Sequence, residues 1–394
     1  MKKIVSLLLC LMLLVFTLVS CSEEVIDPVP DHYPPKEGEA QEVQIDMYVI
    51  VGEGTTSNAI DTVSRQIATK TLANFHAELN VKYVTLAEYE ATVLAELDKI
   101  PVFEPEVEEM PEDGETEDAD AEVEEDVEEE LPRGMIVLVH SSAFMDTLVN
   151  SEKLVAMNDY LTTEAFGKLN VSIPSALIAA TKEPSGTLYA MPNNRVLGEY
   201  EYLVIDPEVA LQVSNYNEDV LLGYKSFEET ADLRNDLVRN GYDDPTQYVF
   251  LAHGTPTTKA EFEADGMICN VISTPSVSRA DALSSAFAIV NTGSEYVNDK
   301  AMEIIYNLNV NVELRNLLQY GVPNTNYTIY EEKDENDNVV YSNFILETDI
   351  DMYRMNYIYT GNVFILGFCE EIGWNAAYKA DGEIQNKEVT FTGN

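Results

Sequence analysis

Val43 to Ser57 reads VQIDMYVIVGEGTTS, alternating at first, then apolar, then broken by Gly52 and Gly54. Val43 to Val51 is expected to be a buried strand. A helix should follow the turn, because Ile60, Val63, Ile67, Phe75 and Leu79 fall on about one helical face. Val81 to Val84 predicts a second strand. Thr85-x-x-Glu88 has the spacing of a capping box. The helix it would open carries Leu86, Tyr89, Val93, Leu94 and Leu97. Met135 to Val139 is a third strand, apolar enough to be covered on both faces. Strand, helix, strand, helix, strand is the pattern of a parallel α/β sheet.

The chain has 394 residues, too many for one small domain and suited to two lobes. Its apolar fraction of 45% permits a sizeable core. Lysine and arginine number 23 against 70 acidic residues, a formal net charge of −47. That excludes a nucleic-acid partner gripped through phosphates and argues against a polybasic hold on anionic lipid. Residues 101–132 interrupt the α/β unit. Glu104 to Glu130 holds 17 acidic residues and no basic one, so self-repulsion predicts a disordered surface insertion.

Lys2 and Lys3 precede an apolar run from Ile4 to Val19, followed by Ser20 and Cys21. This reads as a secretory signal peptide over 1–20. A membrane span needs about 20 apolar residues, and no stop-transfer flank follows. The Leu18-Val19-Ser20-Cys21 ending resembles the lipobox of bacterial lipoproteins. That resemblance implies cleavage before Cys21 and its acylation, which would hold the protein on the extracellular face of the cell membrane. Two or more acyl chains suffice for stable anchoring. Residues 21–42, with Pro28, Pro30, Pro34 and Pro35, read as a flexible tether. Cys10 leaves with the signal. Cys269 and Cys369 remain, either as a disulfide in an oxidising exterior or as two buried thiols.

Further along, Ser142 to Thr181 is mainly helical in pattern. Thr187 to Met191 and Gly198 to Ile205 read as strands flanking Pro192-Asn193-Asn194-Arg195. Helical segments and polar loops run from there to Gly266, and Met267 to Ser273 is a strand. Asn298 to Leu308 and Val312 to Tyr320 are expected helices, the second ended by Gly321 and Pro323. Tyr327 to Tyr330 and Val339 to Tyr341 read as a hairpin. Its turn, Asp334-x-Asn336-x-Asn338, starts like a calcium loop but has Val339 for the required glycine and Ile345 for the final glutamate.

Motifs for catalysis are missing: the sequence contains no H-E-x-x-H, no P-loop and no G-x-S-x-G. His32, His76, His140 and His253 share no ligand spacing, so no metal site, cofactor or catalytic residue is assigned. Gly52-x-Gly54-x-x-Ser57 lacks the third glycine of a dinucleotide fingerprint and reads as a βα turn, whose N–H groups can still face a cleft. Tyrosine is abundant at 22, and Trp374 is the sole tryptophan. Rings with a polar tip suit sugars, whose C–H faces stack while hydroxyls meet Asn, Asp and Glu.

Taken in order, these features resemble the extracellular solute-binding lipoproteins of ABC importers, of the maltose-binding-protein-like kind. Gly134 to Ser141 is similar to the strand and loop after the second helix of lobe one, and Leu188-Tyr-Ala-Met-Pro192-Asn-Asn to the crossing into lobe two. Ala286 to Ile289, then Asp299 to Ile305, resemble the return to lobe one. Leu317 to Gly321, followed by Asn326 and Tyr327, looks like a stretch of Gram-positive members, and Tyr359 to Trp374 falls in the C-terminal helical part.

The resemblance implies a two-lobed α/β fold with hinge-crossing segments and a ligand cleft between the lobes. The implied division is lobe one over 43–192, lobe two over 193–277, a return to lobe one over 278–325, and a C-terminal part, 326–394, mainly in lobe two. It places Gly52, Glu53, Gly54, Thr55, His140, Ser141, Ser142, Asn193, Asn194, Arg195 and Trp374 at the cleft. The implied role is a monomeric, non-enzymatic receptor that delivers a sugar or oligosaccharide to an ABC permease. A surface lipoprotein of the same fold used for sensing or adhesion is the second reading, and a secreted hydrolase the third.

Overall fold

The structure is a computed structural model that describes residues 42–103, 131–213, 215–333, 335, 339–347 and 351–393. The signal peptide, Cys21, nearly all of the tether, the acid-dense run from 104 to 130 and most of the 334–338 turn lie outside the described residues.

β1 (Val43–Ile50) is buried along most of its length, and its apolar alternation sets its two faces. Helix α1 (Ser57–Phe75) starts at Thr56, whose side chain accepts from Ala59 N at 3.2 Å. It buries Ala59, Val63, Ile67, Thr71 and Phe75, a stripe at four-residue spacing. The helix stops there because His76 turns left-handed (φ 54°) and its N–H returns to Leu72 O. Leu79 is therefore not on the helix. It sits in β2 (Ala77–Val84), which starts earlier than its most apolar residues suggest, and it is buried by strand alternation with Ala77 and Val81.

The capping box at Thr85 does not form. The Thr85 hydroxyl bonds the Glu88 carboxylate directly, and α2 (Tyr89–Leu97) begins after Glu88 with no side-chain cap. β3 (Arg133–Val139) pairs parallel with β1, as β2 does on the other side. Helices α3 (Ser142–Val149), α4 (Leu169–Ser172) and α5 (Ser175–Thr181) lead to the short β4 (Ala190–Pro192).

Past β4 the chain enters a second sheet. β5 (Tyr200–Ile205) is followed by α6 (Pro207–Ala210), α7 (Glu218–Gly223) and α8 (Ala231–Arg239). Then come β6 (Val249–Gly254), α9 (Pro256–Ala264) and β7 (Ile268–Ser273), in the antiparallel order β6-β5-β7. The sequence pattern shows loop where β6 lies. This edge strand has only one neighbour and alternates with half-exposed positions, so its apolar signal is weak. Leu203, Ile205, Leu221, Leu233, Leu237 and Val249 make the core on one face of the sheet. Tyr202, Val204 and Cys269 pack with Phe250 and Phe262 on the other.

β8 (Ser276–Val277) and α10 (Arg279–Ala282) carry the chain back. β9 (Ala286–Val290) inserts antiparallel between β3 and β4, completing the order β2-β1-β3-β9-β4. Helix α11 (Glu295–Val310) is buried almost all round, including an ion pair between Lys300 and Glu303 at 3.0 Å. It is followed by α12 (Val312–Tyr320) and the hairpin of β10 (Tyr327–Lys333) and β11 (Val339–Glu347).

Helix α13 (Ala376–Glu388) and β12 (Thr390–Phe391) finish on the second sheet's side. Asp381 accepts from Thr257 N at 3.2 Å, Tyr200 donates to Glu388 at 2.9 Å, and β12 pairs parallel with β8. The two cysteines are free thiols. Cys269 belongs to the cluster around Tyr202, whereas Cys369 packs with Tyr320 and Trp374 and donates to Glu371 at 3.1 Å.

Candidate functional site

The loop after β1 is tied at both ends to residues 352–354. Gly52 N donates to Arg354 O at 3.0 Å, Thr55 Oγ1 donates to the same carbonyl at 2.9 Å, and Thr55 Oγ1 accepts from Arg354 N at 3.0 Å. A Cβ on Gly52 would sit 2.5 Å from Arg354 O, so glycine is required for this approach. We expect Gly52→Ala to destabilise the protein by about 1–3 kcal/mol through overpacking, measured by urea unfolding. A change below a few tenths would show that the loop and residues 352–355 are not locked together. Gly54 lies over Met352, and Glu53 is exposed to solvent.

At the end of β3, the side chain of His140 is only 10% exposed and packs in a three-ring cluster with Tyr89 and Phe144. Its Nε2 is 3.5 Å from Glu90 Oε1, and its buried Nδ1 has no hydrogen-bond partner among the described residues. Burial lowers its pKa, with Glu90 opposing. Ser141 caps α3 by accepting from Phe144 N at 3.1 Å, and Ser142 opens that helix.

The crossing between the sheets is made of buried polar residues. Asn193 donates to Ser285 Oγ at 3.0 Å and Ile358 O at 3.2 Å. Asn194 donates to Ser172 O and accepts from Asn386 at 3.1 Å. Arg195 Nη2 donates to Asp281 O and, at 2.9 Å, to Ser284 Oγ. Desolvation lowers the Arg195 pKa, partly offset by Asp281, Tyr357 and Tyr359. These three residues join the second sheet to both the return segment and the C-terminal part.

Beside this crossing lies a cavity of about 360 Å³, near the low end of the roughly 300–1,000 Å³ common for ligand sites. Its apolar side is formed by Val171, Pro174 and Phe364. Val171 is 90% exposed. The polar side brings Asn194 together with Asn362 and with Glu383, Asn386 and Lys387 from α13. Among the residues singled out from sequence, only Asn194 lines this cavity. Asn193 and Arg195 adjoin it through the chain. Gly52 to Thr55 and His140 to Ser142 are not in its lining. Trp374 is fully buried and meets Phe364 edge-on at 5.5 Å, so it backs the cavity wall and offers no ring face to a solute.

The position of Asn362 and Phe364 is set from below by Arg315 on α12. This guanidinium is fully buried and donates to Tyr357 O (2.6 Å), Asn362 O (3.2 Å), Gly361 O (3.3 Å), Gln319 Oε1 (3.5 Å) and Thr360 Oγ1. Desolvation pulls its pKa down to about 9, which leaves it charged at neutral pH. Gly361 (φ 118°) packs against Leu308 O, closer than any side chain would permit.

Sequence reasoning did not single out Phe364, Glu383, Asn386 or Lys387 as ligand contacts. The available signal was spacing: 383, 386 and 387 share one face of a helix. That signal has no meaning until the helix is placed beside Asn194.

No family model matches the sequence, and no curated protein does either. Among solved structures, the N-glycan transport solute-binding protein of Streptococcus pneumoniae superposes with a TM-score of 0.50 at 14% identity, over 89% of this chain and 84% of that one. The same protein bound to Man5GlcNAc gives 0.49 at 14% identity over the same shares. An ABC substrate-binding protein of Listeria monocytogenes in complex with cycloalternan matches at 10% identity and a TM-score of 0.29, over 69% of this chain and 76% of that one. Both neighbours are described as binding proteins. With two sheet units joined by crossing segments and the superposition on the pneumococcal protein, the chain has the two-lobed α/β fold of that solute-binding protein.

Proposed function

We propose that the protein captures a sugar or oligosaccharide in the cavity beside Asn194 and presents it to an ABC permease, held at the outer face of the membrane by lipid on Cys21. The observation that carries this reading is the two-sided chemistry of the cavity. Phe364, Pro174 and Val171 suit the C–H face of a sugar ring, while the amides of Asn194 and Asn386 and the Glu383 carboxylate suit its hydroxyls. Glu383 and Lys387 bring opposite charges, so the lining adds little net charge, which fits a neutral solute better than an anion. Ligand binding would favour a closed arrangement of the lobes, and a permease can read that arrangement.

The test is a thermal-shift and scattering screen of protein spanning Ser22 to Asn394 against maltose oligomers, N-acetylglucosamine oligomers and high-mannose N-glycans. A true ligand at 100 times its Kd should add about 2.7 kcal/mol of stability by mass action and reduce the radius of gyration. No shift with any saccharide, together with capture of a protein partner, would turn the reading toward adhesion or sensing on the same fold.

A further inference from the structure

The polar lining of the cavity falls into two kinds of group. The asparagine amides are committed to the protein itself. Asn194 donates to Ser172 O and accepts from Asn386 at 3.1 Å, and Asn386 donates again to Arg195 O at 2.9 Å. Asn362 donates to Asn309 O at 3.0 Å and accepts from Phe364 N at 3.0 Å. These bonds fix each amide as part of the wall, with at most a second hydrogen-bonding position left to offer.

Glu383 and Lys387 are the other kind. Both line the cavity and both are exposed. They lie four residues apart on α13, which brings their Cβ atoms to about 5–6 Å on one helical face. A glutamate four residues before a lysine is the order in which helical neighbours pair best. These two do not pair. Glu383 meets Lys379, one turn back, at 4.0 Å, and the Lys387 ammonium has no ion pair or hydrogen bond among the described residues.

This wall therefore carries an anionic acceptor and a cationic donor side by side, neither engaged by the other. Hydrogen bonds to charged groups are about twice as strong as those between neutral ones. A hydroxyl both donates and accepts. Two adjacent hydroxyls complement the pair: one donates to the carboxylate and the other accepts from the ammonium. The opposed charges balance, so the match asks for no charge on the ligand.

Resting on the saccharide reading above, we propose that Glu383 and Lys387 are the specificity-determining pair of this site, which selects ligands presenting two neighbouring hydroxyls to α13.

The experiment is calorimetric titration with the methyl glycosides of glucose, galactose, mannose and N-acetylglucosamine, followed by the monodeoxy series of the tightest binder. Unmodified protein should lose about tenfold or more in affinity at each of two ring positions, and those positions should be neighbours. Glu383→Ala and Lys387→Ala should each weaken the parent sugar by about tenfold or more. Each variant should also become indifferent to one of the two positions, so that parent and deoxy sugar bind it within about twofold of each other. Because both side chains are exposed, Tm should stay within about 2 °C in either variant, which separates a ligand role from a structural one. Unchanged affinity in either variant, an equal loss for every deoxy sugar, or two sensitive positions that are not neighbours overturns the proposal while sugar binding stands. Failure of all four glycosides to bind unmodified protein overturns the saccharide reading and this proposal with it.

Discussion

Arg315→Met is expected to lower the stability of the protein by about 4 kcal/mol or more, with a fall in Tm on the order of 10 °C. The reason is that Arg315 is the main donor to a run of main-chain carbonyls. Tyr357 O, Gly361 O and Asn362 O all accept from it, as does Thr360 Oγ1, in a region closed to solvent. Methionine fills similar volume and supplies no donor, so several buried acceptors are stranded, each costing about 1–3 kcal/mol before relaxation. Arg315→Lys should recover only part of the loss, because one ammonium cannot span acceptors spread over six residues as a planar guanidinium does. Urea unfolding monitored by far-ultraviolet circular dichroism measures both variants. A loss below 1 kcal/mol for the methionine variant would mean that the Tyr357 to Asn362 segment holds its shape without the guanidinium. That segment carries Asn362 and leads to Phe364, so on the saccharide reading proposed above the methionine variant should also lose affinity.

Alkaline unfolding should begin near pH 10 and be complete by about pH 12. Tyr89, Tyr320 and Tyr353 are buried, and burial raises each phenol well above its usual value of 10.0. Each hydroxyl also donates to a main-chain carbonyl: Tyr89 to Leu138 O, Tyr320 to Gly367 O and Tyr353 to Leu318 O. With the folded pKa above the unfolded one, the unfolded chain releases protons first. The stabilisation is therefore full below pH 10 and lost as pH rises through the folded values. Arg315 acts in the opposite direction: burial brings its folded pKa down to about 9, below the usual range for a guanidinium, so its contribution to stability rises with pH above 9. Three buried phenols should outweigh one guanidinium. Tm measured from pH 8 to pH 12 by calorimetry tests this, and a flat profile to pH 12 would contradict it.

Much of the first sheet could be read from the sequence because its strands are apolar runs and its helices keep a clear stripe. One error of extent there, at Leu79, arose because apolar residues at 75 and 79 continue helical spacing straight through His76; another is Leu86, which lies before α2 and is exposed. Nothing in the residue types marks His76 as left-handed. The second sheet was partly legible: β5 and β7 stand out, while β6 is an edge strand whose half-exposed positions dilute the pattern. The cavity was the least legible. Its residues come from α4, the crossing at Asn194, the segment at Asn362 and α13, and no local pattern relates parts so far apart in the chain. Trp374 drew notice as the sole tryptophan, yet burial against Phe364 and Tyr378 makes it support for the wall.

Helix α13 supplies Glu383, Asn386 and Lys387 to the cavity, and β12 closes onto β8. Translation runs from the other end, so these residues leave the ribosome after the rest of both sheets. A nascent chain stopped before about residue 376 would carry the strands of both sheets and still lack the Glu383, Asn386 and Lys387 wall of the cavity. On the saccharide reading proposed above, chains shortened before α13 should act as inert bystanders rather than as weak competitors for sugar.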